Sequence, residues 1–384
     1  MPERTFVVAT PGRSVCDDNA RALHRHGLLR FLALGTRRGI NGLPEECTRL
    51  NPKIGLAAYA FARTFSTTRA ESLRFRLHPW FDHWVKGQLN PGNHVISSYG
   101  YVNASFHWAR EHGGKTFLDG GNSHPENYWT ILTEEHKRWN CPYPPIARHH
   151  YERSRAMMPD VDFVLSPSTF VSRSFLERGF KPEQMLRNVY PIDIACFKPP
   201  VTPRPKDRPL TIIAPGGLSL RKGTPYLLES FRLVLKKIPD ARLVLNRAVF
   251  DNVAAIVRQY ADLPIDWQPN LAHPQLADKM RACDLLILPS LEDGFARTVT
   301  EGLACGLPVI TTPNTGASDV IVPGRNGEIV PIRDPAAIAE AVFKWADMIL
   351  SPGGKPEITF DASSLSFAAF EKDFMEQLKS RGLA

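Results

Sequence analysis

No apolar run in the chain approaches the ~18 residues a membrane-spanning helix needs, which excludes a transmembrane span. The cysteines, at 16, 47, 141, 196, 283 and 305, contain no C-x-x-C pair. That leaves neither zinc-ligand spacing nor a disulfide scaffold, so they read as reduced thiols in a cytoplasmic setting. Internal repeats and low-complexity tracts are missing as well. No strand-like run leads into Gly-x-Gly-x-x-Gly, which disfavours a nicotinamide-dependent dehydrogenase. The start, MPERTFVVATPG, has Glu3 where a secretion signal is basic, so no such signal is expected.

What is present is ordinary globular material, 43% hydrophobic and 22% charged over 384 residues, a length that favours two domains. The net charge of +8 is lopsided. The first hundred residues hold 14 Lys and Arg against 7 Asp and Glu, while the remainder is nearly balanced. Such an excess attracts anions, whether phosphorylated substrates or acidic lipid. A nucleic-acid partner is not expected, because no binding motif accompanies the charge.

Short β-type runs alternate with helical patterns, which argues for parallel sheets flanked by helices. In the first half, strands are expected at 5–11, 29–35, 95–100, 115–121 and 163–168, with helices at 14–26, 104–112, 126–139 and 169–178. Six prolines in residues 191–209 resist helix and central strand alike and suggest a linker between domains. The pattern then restarts, with strands at 210–215, 241–246, 265–268, 285–289, 308–312 and 328–331. Helices are expected at 225–238, 274–282, 298–305 and 335–350. The expected organisation is therefore a first Rossmann-like domain over 1–190, the linker over 191–209 and a second Rossmann-like domain over 210–350. Residues 351–384 form a connector and a tail helix. Phe367, Phe370, Phe374 and Leu378 share one face of that helix, which should dock back on the first domain. The fold class is α/β, two doubly wound domains facing a cleft where strand C-terminal ends meet helix N-termini.

The most informative stretch is PSLEDGFARTVTEGLACGLPVI, residues 289–310. A strand ends at Pro289, an acidic turn follows and a helix starts near Ala296. Gly294 permits close approach of backbone to a ligand, and the N–H groups of Phe295, Ala296 and Arg297 are free to hold a phosphate. Asp293 and Glu301, eight residues apart, are suited to accept sugar hydroxyls. Viewed one at a time, they are equally a dipole-favoured carboxylate and a solvated glutamate.

This segment resembles the Glu-x7-Glu motif of retaining glycosyltransferases of the GT-B fold, in glycosyltransferase family 4. Asp293 stands where the first Glu usually is, with Glu292 one position earlier, and Glu301 matches the second. The resemblance implies that Glu301 holds the donor ribose and that Asp293 contacts the donor sugar near the reacting centre. APGGLSLRKGTPYLLESF, residues 214–231, is similar to the family's strand–loop–Lys-Gly–helix block. There Lys222 matches the phosphate-contacting lysine, with Arg221 beside it and Gly217 where an arginine is common. TPNTGASDVIVPGRNGEIV, residues 312–330, is similar to the family's Gly-Gly-x-x-Glu block, placing Gly316 near the nucleotide with Asp319 for the usual Glu.

In DGGNSHPENYWTILTEEHKRW, residues 119–139, His124 matches a histidine beside the donor sugar, while Glu134 and Glu135 read as structural or solvated. Gly12 and Arg13, in a strand–helix loop where the family has paired glycines, are candidates for holding an anionic donor or acceptor. Asp17 and Asp18 just beyond read as dipole-favoured carboxylates. Residues 54–90 interleave aromatics with arginines, either as an amphipathic element at an anionic membrane surface or as a helix pair closing the first domain.

The resemblance implies a retaining transferase that moves a sugar from a UDP- or GDP-sugar to a glycan or lipid-linked acceptor. No metal site or cofactor is expected. A nucleotide-sugar epimerase of the same fold and a degenerate sugar-nucleotide-binding protein remain as alternatives.

Overall fold

The computed structural model describes residues 5–384 apart from 13, 37–39, 41, 52, 58–59, 61–74, 144, 203–204, 206–207, 353 and 355. Arg13 and the central part of the basic–aromatic stretch lie outside the described residues. Among those described, thirteen strands form two wholly parallel sheets.

The first sheet has the order β3-β2-β1-β4-β5-β6-β7. Its strands are β1 (Phe6–Thr10), β2 (Leu29–Leu34), β3 (Thr48–Leu50), β4 (His94–Ser97), β5 (Thr116–Asp119), β6 (Phe163–Ser166) and β7 (Met185–Arg187). The helices between them are α1 (Cys16–Arg25), α2 (His78–Lys86), α3 (Asn103–Glu111), α4 (Pro125–Arg138), α5 (Pro145–Met157) and α6 (Thr169–Leu176). The second sheet has the order β10-β9-β8-β11-β12-β13. It comprises β8 (Thr211–Ala214), β9 (Arg242–Asn246), β10 (Ile265–Gln268), β11 (Leu285–Leu288), β12 (Val309–Thr311) and β13 (Gly327–Ile329). Its helices are α7 (Thr224–Lys237), α8 (Asp251–Arg258), α9 (His273–Arg281), α10 (Arg297–Ala304) and α11 (Pro335–Ile349), followed by α12 (Phe367–Lys379).

Sequence explains the central strands directly. Strand β1, FVVAT, and strand β11, LLIL, are buried at every position, as expected where helices cover both faces of a parallel sheet. Each sheet reverses its strand order at a central pair. In the first, β1 lies beside β4, with Val7 opposite Val95; in the second, β8 lies beside β11, with Ile212 opposite Leu285. A crevice opens outside the strand ends at such a switch point. The loops that leave β8 and β11 there carry the expected site.

Caps set the helix starts. Asp334 accepts the N–H of Ala337 at 2.9 Å ahead of Pro335, and Ser168 accepts the N–H of Val171 at 3.2 Å. Gly223, just before α7, has φ +69°, and a Cβ there would lie 2.0 Å from the Pro289 carbonyl oxygen. Only glycine fits, and its presence brings the turn before α7 against the end of β11.

The proline-rich passage is more than a spacer. Ile192 and Phe197, with Tyr190 just before the passage, are buried in the core shared with α10, and Ile192 donates its N–H to the Leu365 carbonyl. At the far end α12 buries Phe370, Phe374, Met375 and Leu378 against Phe6, Val8 and Leu23 of the first domain. In the basic–aromatic stretch, α2 buries Phe81 and Val85 and leaves Trp80 71% exposed. No helix among the described residues is long and apolar enough to cross a membrane.

Candidate functional site

A cleft of about 690 Å³ lies between the domains. Lys222, Arg221, Asp293, Phe295, Ala296, Arg297 and Glu301 of the second domain line it, opposite Val15, Gly121, Asn122 and Tyr190. Seven of the residues singled out from sequence thus meet in one cavity.

The acidic turn supplies its charge. Lys222 donates through Nζ to Asp293 Oδ2, and Arg221 Nη1 lies 3.9 Å from the same oxygen. Burial alone would raise the Asp293 pKa, but these two cations outweigh it and hold the carboxyl below its ordinary range. Glu292 takes a different place. It is fully buried, accepts the N–H of Ser123 at 2.8 Å, and receives Arg221 Nη1 on its backbone carbonyl at 2.9 Å. Asp293 therefore faces the cleft, whereas Glu292 ties the turn to the start of α4.

Glu301 sits one turn into α10, 5% exposed, with no hydrogen bond to its carboxylate among the described residues. Burial pushes its pKa up to about 7, against the pull of Arg297. A largely buried carboxyl without a partner, opening on a cleft, is suited to accept hydrogen bonds from a ligand. Ala296, the residue capping α10, has φ +63°, a left-handed conformation that turns the chain into the helix. The first N–H groups of α10 have no partner within the helix and open toward the same cavity.

Other sequence candidates lie elsewhere. His124 is 5% exposed and does not line the cleft; its Nδ1 accepts the Glu126 N–H at 3.3 Å, capping α4. Its ring meets Phe175 edge-on at 5.1 Å, and burial lowers its pKa to about 4, so the imidazole is neutral. Gly217 backs onto Phe250, 2.9 Å from where its Cβ would be, and Gly216 lines the cleft in its stead. Gly294 and Gly316 serve contact between backbones. A Cβ on Gly294 would fall 2.3 Å from the Gly121 carbonyl oxygen, and one on Gly316 would fall 1.9 Å from that of Gly294. Gly12 accepts the Thr10 hydroxyl on its carbonyl at 2.7 Å and is not among the cleft-lining residues. Asp319 receives the Thr169 N–H at 2.7 Å and so caps α6 of the other domain.

Sequence reasoning missed three things here. Asn246, Gln268 and Asn270, at the ends of β9 and β10, line the far end of the cleft. Asp18 reaches across to Arg297, and buried Asp119 accepts hydrogen bonds from Tyr190 Oη at 2.5 Å and Cys16 Sγ at 3.2 Å. Burial raises the Asp119 pKa to about 6. Position at a strand C-terminal end was the available signal for the first group and for Asp119.

Comparison with solved structures decides the architecture. Sucrose-phosphate synthase from Thermosynechococcus elongatus superposes with a TM-score of 0.63 at 16% identity, covering 98% of this chain and 94% of that one. Anabaena Alr3699/HepE in complex with UDP-glucose gives 0.63 at 15% identity, covering 98% and 99%. The fold is GT-B.

Within this GT-B chain, residues 209–347 match the family model described as glycosyl transferases group 1. The putative glycosyltransferase EpsD of Bacillus subtilis (strain 168) is 29% identical over 138 residues, 34% of this chain and 35% of that protein. The D-inositol 3-phosphate glycosyltransferase of Arthrobacter sp. (strain FB24) is 27% identical over 171 residues, 41% and 39% of the two chains. The chain thus spans well under half the length of these curated relatives, and the family-model match falls on the domain that carries Lys222, Asp293 and Glu301.

Proposed function

We propose that the chain is a retaining glycosyltransferase of family 4 type. It moves a sugar from a nucleotide-sugar donor, a UDP- or GDP-sugar, to a glycan or lipid-linked acceptor without a metal ion. The observation that carries this reading is the joint placement of the Lys222–Asp293 pair and the unpartnered Glu301 carboxyl in one cleft. The group 1 match over the same domain and the UDP-glucose complex of a GT-B neighbour support it.

In this reading the diphosphate lies against the N-terminus of α10, with Lys222 and Arg221 neutralising the charge that develops as it leaves. Glu301 accepts the ribose hydroxyls and fixes the nucleotide. Asp293, held as a carboxylate by Lys222, orients the donor sugar; engaged in that ion pair, it is poorly suited to act as a nucleophile. Attack of the acceptor hydroxyl on the face the diphosphate vacates then keeps the anomeric configuration, with the departing phosphate taking the proton. In this reading the two side-chain cations and the helix N–H groups take the part a divalent ion would play on the leaving group. The basic first hundred residues and exposed Trp80 extend the reading to an acceptor held at an anionic surface.

The test is nucleotide release from UDP-, GDP- and ADP-sugars by wild type and Glu301→Gln, with and without a lipid–glycan extract and with and without EDTA. Release from one donor that requires both extract and Glu301, and that EDTA leaves intact, is expected. Release without extract would point to hydrolysis; no release from any donor would overturn the catalytic reading.

A further inference from the structure

Four lysine and arginine side chains line the cleft, and each is already held by a carboxylate. Lys222 pairs with Asp293, Arg221 with Glu292 at 3.5 Å, Lys279 with Asp266 at 3.3 Å and Arg297 with Asp18 at 2.5 Å. The first three pairs lie within the second domain. The fourth crosses the cleft, because Asp18 sits in the first turn of α1. Arg297 opens α10, its guanidinium 5.3 Å from the centre of the Tyr190 ring, and its Nε is buried without a hydrogen-bond partner among the described residues. One face of that guanidinium is therefore satisfied and another is not. Asp18 has a second partner, Arg21 Nη1 at 3.2 Å, and so keeps a counter-charge when Arg297 leaves.

We propose that Asp18 occupies a place that a phosphate of the donor takes on binding. The Arg297 side chain is a ligand for the donor's diphosphate that Asp18 holds in exchange, and Asp18 thereby sets how strongly the cleft discriminates by ligand charge. This rests on the cleft being a nucleoside-diphosphate site. A ligand takes the guanidinium only if its anion competes with a carboxylate at hydrogen-bond distance. A diphosphate does so best, a monophosphate less well, and an uncharged nucleoside not at all. The exchange also breaks a contact between the domains at the moment the donor arrives.

Binding of UDP, GDP and ADP to wild type is measured first by calorimetry, and the tightest is carried forward with its monophosphate and nucleoside. Asp18→Asn is expected to bind the diphosphate about fivefold more tightly, as for loss of one partly exposed competing ion pair. The gain is smaller for the monophosphate and nil for the nucleoside. In an Arg297→Gln background the same Asp18→Asn change gives no gain. A gain that persists there would mean simple charge repulsion and overturn the exchange. Weaker diphosphate binding by Asp18→Asn would make Asp18 a positioning residue for Arg297 and likewise overturn it. Should Asp18→Asn not fold, a crystal structure of wild type with the diphosphate serves. Arg297 on phosphate is expected, and an intact Arg297–Asp18 pair beside bound ligand sinks the proposal. Wild type that binds none of the three diphosphates removes the reading of the cleft itself, a failure distinct from these.

Discussion

Glu135 of α4 and Arg333, which follows β13, stand 198 residues apart in sequence and meet across the two domains at 2.7 Å. Glu135 is fully buried and also accepts hydrogen bonds from Tyr226 Oη at 2.7 Å and Trp139 Nε1 at 2.8 Å. Arg333 holds φ +62°, a left-handed conformation that an arginine adopts only when its surroundings compel it. Removing one partner of such a pair strands a charge away from water. Arg333→Ala should therefore destabilise the protein by about 3 kcal/mol, lowering the melting temperature, and adding Glu135→Gln should restore part of the loss. Equal melting temperatures for wild type and Arg333→Ala would show the pair to be dispensable.

Glu301 and Asp293 should fail in different ways. Glu301→Gln is expected to weaken nucleotide binding with little change in kcat, while Asp293→Asn lowers kcat by about a hundredfold, the size typical of lost electrostatic stabilisation. Steady-state kinetics on the donor identified by the release assay separates the two. Parallel losses in both parameters for both variants would contradict the division.

The raised pKa of Glu301 gives a proton signature. Burial disfavours the charged form, so the carboxyl is about half protonated at pH 7 before a nucleotide binds. Ribose hydroxyls donating to it favour the anion and lower its pKa. Nucleotide binding at pH 7 should then release about half a proton more from wild type than from Glu301→Gln, and affinity should rise as pH increases through 7. Calorimetry in buffers of different ionisation enthalpy measures the difference; a value of zero removes Glu301 from the ribose. Stability runs the other way. A carboxyl whose folded pKa lies above its unfolded value stabilises most at low pH, and the protein loses that contribution as pH rises from about 4.5 toward 7.

Glycine at 294 is required by the meeting of two backbones. Gly294→Ala should drive the Gly121 and Gly294 loops apart, because the added Cβ lies 2.3 Å from the Gly121 carbonyl oxygen and 2.8 Å from the Asn122 nitrogen, both backbone atoms. A larger radius of gyration by small-angle scattering and weaker nucleotide binding, with helix content unchanged, are the expected results.

Ala296→Gly should act in the opposite sense. An alanine at φ +63° bears a steric cost that glycine avoids, offset in part by glycine's greater freedom in the unfolded chain, leaving a gain of about 0.5 kcal/mol. Thermal unfolding decides it, and a lower melting temperature would contradict the strain.

Most of the fold is legible in the sequence because its central strands are continuous apolar runs and its helices carry local caps. The three-residue strands β3 and β7, half exposed at the sheet edges, carry no such run, and α5 and α8 were not foreseen either. The cleft is legible where strand, turn and helix follow one another, as from Pro289 to Glu301. It is opaque where partners come from different domains. Asp18 reads as a carboxylate favoured by its own helix, yet its partner Arg297 lies 279 residues away. His124 and Gly294 show the converse: the residue types were singled out, but local capping and domain contact govern where they sit.

Because α12 completes the hydrophobic interior begun by β1, the order of synthesis matters. Phe6 and Val8 leave the ribosome long before the Phe374 and Leu378 that cover their core. The core of the first sheet is therefore covered only once α12 has been made, after every strand of the second sheet. Cutting the protein between its two sheets would therefore yield one half that lacks its closing helix, and the halves are not separable modules.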